Sequence, residues 1–575
     1  MKGFKRAITV LVVLALIVPV ALLGGCGPGE AGQASGYKKA GDRFVLEMES
    51  QHADVETALY KVGESYSGVV GEQEPGDLTL YPAFQTDAKE IQSTIESARD
   101  EYGKILRLEG AANYKAYARE MLACLQDVSA SVAYASAMAD KQNQMMSAFA
   151  QSGQAPDLEI PINDDREKKL SCMEESSRHF NAAYQVDKDY LHGSVPGKGR
   201  QPVHARVSWQ VDPAREATVT WETGKWLRGY SAGVRYGRSP DSTDGTAAGS
   251  SFLHHYGSRE EHQARIPTPS PDTVYYYRCG SEGFGWSDVR TFRTPPARGE
   301  GFTFCVAGDT RSASPDSTDV TEWGKVASAA DGTEPLFTII NGDLVFLGFE
   351  DRLWPSWLEA AEPLTDSGVM MPCLGNHESY AMGFFDRFAL PGNERWYSYD
   401  VSDVHFVCLD TGLMNYAEGP LLDEQVGWLT GDLEQAKKRG SRWTVVYTHR
   451  SPYSSGDLGD QQDIISSWVP VFDRFGVDLV IPSHVHYYER SFPMKGGQVV
   501  DTSTDRYASP GGTIYLITGC GGAPLGDPAP APWIATLARQ YCYTSIEVGG
   551  GAGGALSVET RTPDGTVLDR FTVSK

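Results

Sequence analysis

Three patterns of apolar and polar positions follow one another along the chain. From about Gly36 to Leu191, apolar residues recur three and four apart, as in DAKEIQSTIESARDEYGKILRLEG and NYKAYAREMLACLQDVSASVAYASAMADKQNQMMSAFA. That is the spacing of a buried helix face. Asp87 and Asn113 are plausible caps, and the stretch reads as roughly three or four helices in a small bundle. Its Met and Tyr residues read as core. HGSVPGKGRQPVHA is a linker by composition. Beyond it the period changes. VSWQV, ATVTWE, AGVRYG, HQARIP, VYYYRCG and VRTFRTP alternate apolar and polar residues between turn-rich stretches, which predicts a β-sandwich of about seven short strands. From Gly301 onward, strand-like runs alternate with the helical stretches TEWGKVASAA, DRLWPSWLEAA, DEQVGWLTGDLEQAKKR and QDIISSWVPVFDRFG, an α/β order.

The apolar runs of this last region are FTFCV, LFTII, MMPCL, WTVVY and VDLVI, and a polar cluster follows each. The clusters hold Asp309, Asp343, Asn376 with His377, His449, and His484 with His486. In α/β sheets, sites form at the carboxyl ends of strands. Each residue alone has a plainer reading: an Asp after Gly is often a turn or cap residue, Asn376 suits a turn, and His449 suits a core. Together, carboxylates, an amide and imidazoles are the ligand set for two metals sharing one carboxylate. Asp343 is the candidate bridge, Asp309 and His486 would complete the first metal, and Asn376, His449 and His484 the second. His484 and His486, two apart on an extended segment, point the same way. Oxygen and nitrogen ligands without thiolate suit Mn, Fe or Zn better than Mg or Ca. Two such ions lower the pKa of a bridging water and orient a phosphate. His377 would face the leaving-group oxygen, as general acid or electrostatic stabiliser.

Charge narrows the partners. The 575 residues carry a net charge of −24, which argues against nucleic acid and against electrostatic attraction to an anionic membrane. An anionic substrate therefore needs a local positive centre, which metal supplies. The chain opens with Lys2, Lys5 and Arg6 and an apolar run from Ala7 to Leu23, and Leu23-Gly24-Gly25-Cys26 resembles a bacterial lipobox. This predicts a signal peptide over 1–25, lipid on Cys26, a flexible tether over 26–36 and an extracytoplasmic protein anchored to the bacterial cell membrane. Cys305, Cys373 and Cys408 lie in apolar runs and read as buried hydrophobes. Cys124 with Cys172, or Cys520 with Cys542, could form a bridge.

In order, AGD, NGD, GNHE, the lone His of VVYTH and HVHYYER resemble the motifs of the calcineurin-like metallophosphoesterases, and most closely the purple acid phosphatase branch. RWYSYDVSDVHFVCLDT is similar to that branch's strand pair after the Asn-His motif, and the preceding β-sandwich to its fibronectin-type-III-like N-terminal domain. The resemblance runs from about Gln201 to the C-terminus. It implies a fibronectin-III-like domain over 201–296 and a catalytic domain over 300–575 built as two mixed β-sheets flanked by helices. A helical domain over 37–192 stands outside it. The implied activity is hydrolysis of small phosphate monoesters by a metal-activated hydroxide. The alternatives are a phosphodiesterase or nucleotidase, or a catalytically weak surface-binding lipoprotein. Three positions depart from the family. Phe346 stands where the branch has its ferric-ligating Tyr, Arg311 where many metallophosphoesterases have a His, and Ser483 where Gly is usual. A phenyl ring cannot ligate, so ferric-tyrosinate colour is not expected, and Tyr380, Tyr453 or Tyr487 would have to supply any substitute phenol. Arg311 suits either bidentate contact with substrate phosphate or an ion pair with a neighbouring Asp.

Overall fold

The computed structural model describes residues 28–71, 77–152, 162–191, 201–224, 230–253, 259–268, 270–379, 381–412, 419–456, 458–551 and 553–575. The N-terminal apolar segment, Cys26, most of the linker and Tyr380 lie outside them. The helices are α1 (Pro28–Gly71), α2 (Leu80–Arg107), α3 (Ala112–Ser152) and α4 (Ile162–Val186). Phe84, Ala88, Ile91, Ile95, Ala98, Tyr102 and Ile105 form the buried stripe of α2 at helical spacing. Two expectations change here. The tether expected over 26–36 is helical from Pro28, where Pro at the first position and Glu30 in the first turn favour a helix start. Asp87 and Asn113 fall inside α2 and α3 rather than before them. Asp77 instead fixes the turn into α2, accepting the Thr79 backbone N–H at 2.9 Å.

Strands β1 (Val203–Ser208), β2 (Glu216–Gly224), β3 (Gly233–Gly237), β4 (Gly245–Leu253), β5 (Arg259–Pro267), β6 (Val274–Ser281), β7 (Gly285–Trp286) and β8 (Arg290–Arg293) form an antiparallel domain. Their order is β1-β2-β5-β4-β3-β6-β7, with β8 on β6. This domain is not separate from the α/β region. Trp209, just beyond β1, packs its ring 5.2 Å from Phe337 and 5.8 Å from Tyr399, and Arg206 donates through Nε to the Arg387 carbonyl at 2.7 Å. One buried core runs through both domains.

The rest of the chain supplies β9 (Phe302–Ala307), β10 (Phe337–Ile340), β11 (Val369–Pro372), β12 (Tyr397–Val401), β13 (Val404–Cys408), β14 (Trp443–Tyr447), β15 (Leu479–Ile481) and β16 (Tyr488–Ser491). These are followed by β17 (Met494–Lys495), β18 (Gln498–Val499), β19 (Arg506–Ala508), β20 (Ile514–Thr518), β21 (Ile534–Ala538), β22 (Tyr543–Val548), β23 (Ala555–Arg561) and β24 (Val567–Ser574). One mixed sheet runs β19-β24-β23-β22-β9-β10-β11 and continues into β1, where Val207 pairs with Val369 in β11. The other runs β12-β13-β14-β15-β20-β16-β21. β9, β10 and β11 are parallel, as are β13, β14, β15 and β20, which explains their near-continuous apolar sequences. The faces meet through Phe304, Phe337 and Phe406, with ring centroids 5.1 to 5.3 Å apart. All eight described cysteines are free thiols, so neither Cys124 with Cys172 nor Cys520 with Cys542 forms a bridge. Among the described residues, no helix is long and apolar enough to cross a membrane.

The helical bundle is fastened to the β-domain by buried charge. Glu260 on β5 receives Tyr184 Oη at 2.9 Å and Lys188 Nζ at 2.5 Å, with almost no side-chain exposure on the ion pair. Helices α1 and α4 also face the loops around Gly348 and Ser379 across a small cavity of about 40 Å³, where His52, Glu56 and Lys169 meet. Breaking a buried pair by removing one partner costs about 3–5 kcal/mol, because the other charge stays uncompensated. Lys188→Ala should therefore lower stability in urea unfolding by about that amount, and Lys188→Ala with Glu260→Leu should recover most of the loss.

Candidate metal centre

The carboxyl ends of β9, β10, β11, β14 and β15 bring all the expected ligands to one place. Asp309, Asp343 and His484 take left-handed backbone, with φ of 53°, 54° and 72°, a conformation costing about 1–3 kcal/mol each away from Gly. It lets the chain reverse at the strand end, and the reversals are tied together. The Asp309 N–H donates to the Gly342 carbonyl at 3.1 Å, and the Thr310 N–H to the Asp343 carbonyl at 3.0 Å. The His377 N–H donates to Asp343 Oδ1 at 3.0 Å, and the His484 N–H to Asp309 Oδ2 at 2.7 Å. Gly375 is required at the GNHE turn, since a Cβ there would lie 2.2 Å from Asp343 Oδ1.

One group of donors surrounds His449. Its Nδ1 faces the Asn341 carbonyl at 2.9 Å, with Ser483 Oγ at 3.0 Å, a setting that favours the proton on Nδ1 and turns Nε2 to the site. Around that nitrogen stand Asn376 Oδ1 at 2.9 Å, His484 Nδ1 at 3.0 Å and Asp343 Oδ1 at 3.3 Å. Donors each about 2.1 Å from a shared ion sit about 3 Å apart, so this set fits a cation. Ser483, the departure before the His pair, is absorbed: its hydroxyl also bonds the Asn341 carbonyl and helps set the His449 tautomer.

The second group comprises Asp309, Asp343 and His486. His486 is oriented by Nδ1–H to the Pro524 carbonyl at 2.8 Å and turns Nε2 to Asp309 Oδ1 at 3.3 Å. Buried Asp309 Oδ1 has no hydrogen-bond partner, as expected of an oxygen shaped for a cation. Burial opposes ionisation of Asp309, but His486, then His449 and Arg311, hold its pKa below the usual range. Asp343 belongs to both groups, as a bridge must.

The other two departures from the family pattern, Arg311 and Phe346, touch each other. The Arg311 guanidinium lies 4.6 Å over the Phe346 ring, and its Nε stands 3.6 Å from Asp343 Oδ2. The ion pair with a neighbouring Asp is thus present. Phe346 also meets the His377 ring edge-on at 4.6 Å, and its carbonyl accepts His377 Nδ1–H at 2.7 Å. Burial, then the Arg311 charge, lowers the His377 pKa to about 3. The phenols considered as substitutes have other partners: Tyr487 Oη bonds Ser454 and Gly456, and Tyr453 packs on Tyr515.

Sequence reasoning passed over Glu378, although GNHE displays it. Its buried carboxylate accepts the N–H groups of Asp343 at 2.9 Å, Leu344 at 2.7 Å and Gly375 at 2.7 Å, locking the two ligand-bearing turns together. Burial and the Asp343 carboxylate push its pKa up to about 8, against the pull of those donors. A second support is Trp357, whose Nε1–H donates to Thr310 Oγ1 at 2.8 Å beside Asp309.

Residues 202–294 match the purple acid phosphatase N-terminal domain, and residues 302–488 the calcineurin-like phosphoesterase domain. Acid phosphatase type 7 of Homo sapiens is 27% identical over 419 residues, covering 66% of this chain and 92% of that protein. Purple acid phosphatase 18 of Arabidopsis thaliana is 28% identical over 355 residues, covering 57% and 74%. The solved purple acid phosphatase from yellow lupin (Lupinus luteus) seeds shares the fold, with a TM-score of 0.56 at 20% identity, covering 65% of this chain and 74% of that one. Both matched domains lie C-terminal to the helical bundle.

Residues that hold metal ligands in place typically contribute 10- to 100-fold, that is about one to two orders of magnitude, to metal affinity. Glu378→Ala should weaken binding of added Zn²⁺ by about that factor in a calorimetric titration, with secondary structure retained by circular dichroism.

Proposed function

We propose that this member of the purple acid phosphatase-like metallophosphoesterases, a metal-dependent phosphoric ester hydrolase, removes phosphate from small monoesters outside the cytoplasm. The observation that carries the reading is the convergence of donors from Asp343, Asn376 and His484 within 2.9–3.3 Å of His449 Nε2. They stand at strand ends, beside a second group that shares Asp343. The fold implies a binuclear centre. We assign Asp309, Asp343 and His486 to one ion and Asp343, Asn376, His449 and His484 to the other, with Fe, Mn or Zn as occupants. Bound there, the ions would supply positive charge against the phosphoryl oxygens and lower the pKa of a bound water.

The protein's own part is orientation and charge. The Asn341 carbonyl and Ser483 fix the His449 tautomer, and Glu378 fixes the turn that carries Asp343. His377 is assigned to the leaving-group oxygen. Its Nδ1–H is held by the Phe346 carbonyl, and its Nε2 faces the site, 3.7 Å from Asp343 Oδ2. The Arg311 guanidinium adds a permanent positive charge to a chain of net charge −24. That favours a monoester, which carries more negative charge than a diester. The β-domain, with its antiparallel order, is read as a sandwich of the fibronectin-III kind. Lys2, Lys5, Arg6, the apolar run and Cys26 support export and lipid anchoring.

Asp343→Asn and His449→Ala should each reduce hydrolysis of an aryl phosphate to background while the protein stays folded; unchanged turnover in either would remove the reading. Chelator treatment should abolish activity, and added Mn²⁺, Fe²⁺ or Zn²⁺ should restore it. An aryl monoester should be cleaved faster than the bis-aryl diester. Cys26→Ala should release the chain from membranes and prevent labelling by a fatty-acid analogue.

A further inference from the structure

Asp343 Oδ2, the oxygen of the shared carboxylate that is not the one beside His449, already faces a cation supplied by the chain. Arg311 Nε stands 3.6 Å from it and, though buried, has no hydrogen-bond partner. The side chain is fixed from several directions. Its own backbone N–H donates to the Asp343 carbonyl at 3.1 Å, and Nη1 donates to the Ser312 carbonyl at 3.0 Å. The guanidinium plane lies over the Phe346 ring at 4.6 Å, where the ring's electron-rich face attracts it. Phe346 is held in turn by the edge of the His377 ring. A guanidinium does not lose its proton in a protein, so the charge is permanent. A metal ion held by Asp309, Asp343 and His486 must share Asp343 with that charge and sit close to it. Toward His449 the same carboxylate turns its other oxygen, Oδ1, which stands 3.3 Å from Nε2.

We propose that Arg311, braced on Phe346, competes with the cation for the Asp309–Asp343–His486 group, so that the chain holds one tight and one weak metal. The inference rests on the two-metal reading above and assigns the inequality of the two positions to these residues. Where a phenol would add a ligand, Phe346 supplies a platform that keeps a competing charge in place.

The test counts metal rather than turnover. Full-length protein stripped with chelator is titrated with Zn²⁺, and bound metal is read by calorimetry and by elemental analysis after desalting. The wild type should hold one equivalent through desalting, with a second binding at least about 100-fold more weakly. Arg311→Gln, close in shape and uncharged, should tighten the weak equivalent by about tenfold or more and leave the tight one in place. Arg311→Lys, which keeps the charge, should stay near the wild type. Asn376→Ala should remove the tight equivalent in both the wild-type and Arg311→Gln backgrounds. Two equally tight equivalents in the wild type, or a weak constant unmoved by Arg311→Gln, would overturn the proposal. So would Lys and Gln variants that behave alike, since charge would then not be the cause. Failure of the wider phosphoesterase reading is distinguishable, because that chain would retain no tight equivalent at all.

Discussion

The site depends on three backbone reversals into left-handed conformation, at Asp309, Asp343 and His484. Side chains leaving a parallel sheet normally diverge to its two faces. Here the reversals turn two carboxylates and an imidazole inward, over the ends of two sheets packed face to face. Each costs about 1–3 kcal/mol at a non-Gly residue, and each is offset by hydrogen bonds that join one reversal to the next. Asp309 is bonded to the Gly342 turn and receives the His484 N–H, while Asp343 is gripped by the Gly375 and Glu378 turn. The candidate ligands are therefore preorganised by the fold, with the oxygens of Asn376 and Asp343 and the His484 nitrogen 2.9 to 3.3 Å from His449 Nε2, a spacing that suits a cation.

Much of this was legible in the sequence because the relevant signals are local. Short apolar runs followed by AGD, NGD, GNHE, YTH and PSHVH placed every candidate ligand just beyond a strand, and RWYSYDVSDVHFVCLDT falls on the β12–β13 pair, where Tyr397 stands opposite Cys408. What was not legible depends on contacts between distant segments. Arg311 and Phe346 are 35 positions apart by their numbering, and nothing in their neighbours announces that one lies over the other. Glu378 was visible in GNHE, but its work is on backbone groups 34 residues earlier, which no spacing rule reveals. The helix start at Pro28 was hidden by Gly-rich composition, and Asp87 and Asn113 looked like caps only because the helices begin a little earlier than their apolar pattern does.

Domain boundaries drawn from composition also understated how far the parts are fused. The antiparallel domain shares its core with the catalytic sheets through Trp209, and β1 continues the sheet of β9, β10 and β11. The helical bundle, which lies outside both matched domains, is pinned through Lys188 and Tyr184 to Glu260 and borders the loops behind Phe346 and His377. Each added unit thus bears on the scaffold that carries the ligand turns, while the donor atoms themselves come from the calcineurin-like phosphoesterase domain.

The central claim is that the donors gathered around His449 form a metal site built into the fold. A crystal of the full chain equilibrated with Zn²⁺, measured on either side of the zinc absorption edge, tests it most directly. The account predicts an anomalous peak bounded by Asp343, Asn376, His449 and His484; an ordered site with no peak there would contradict it.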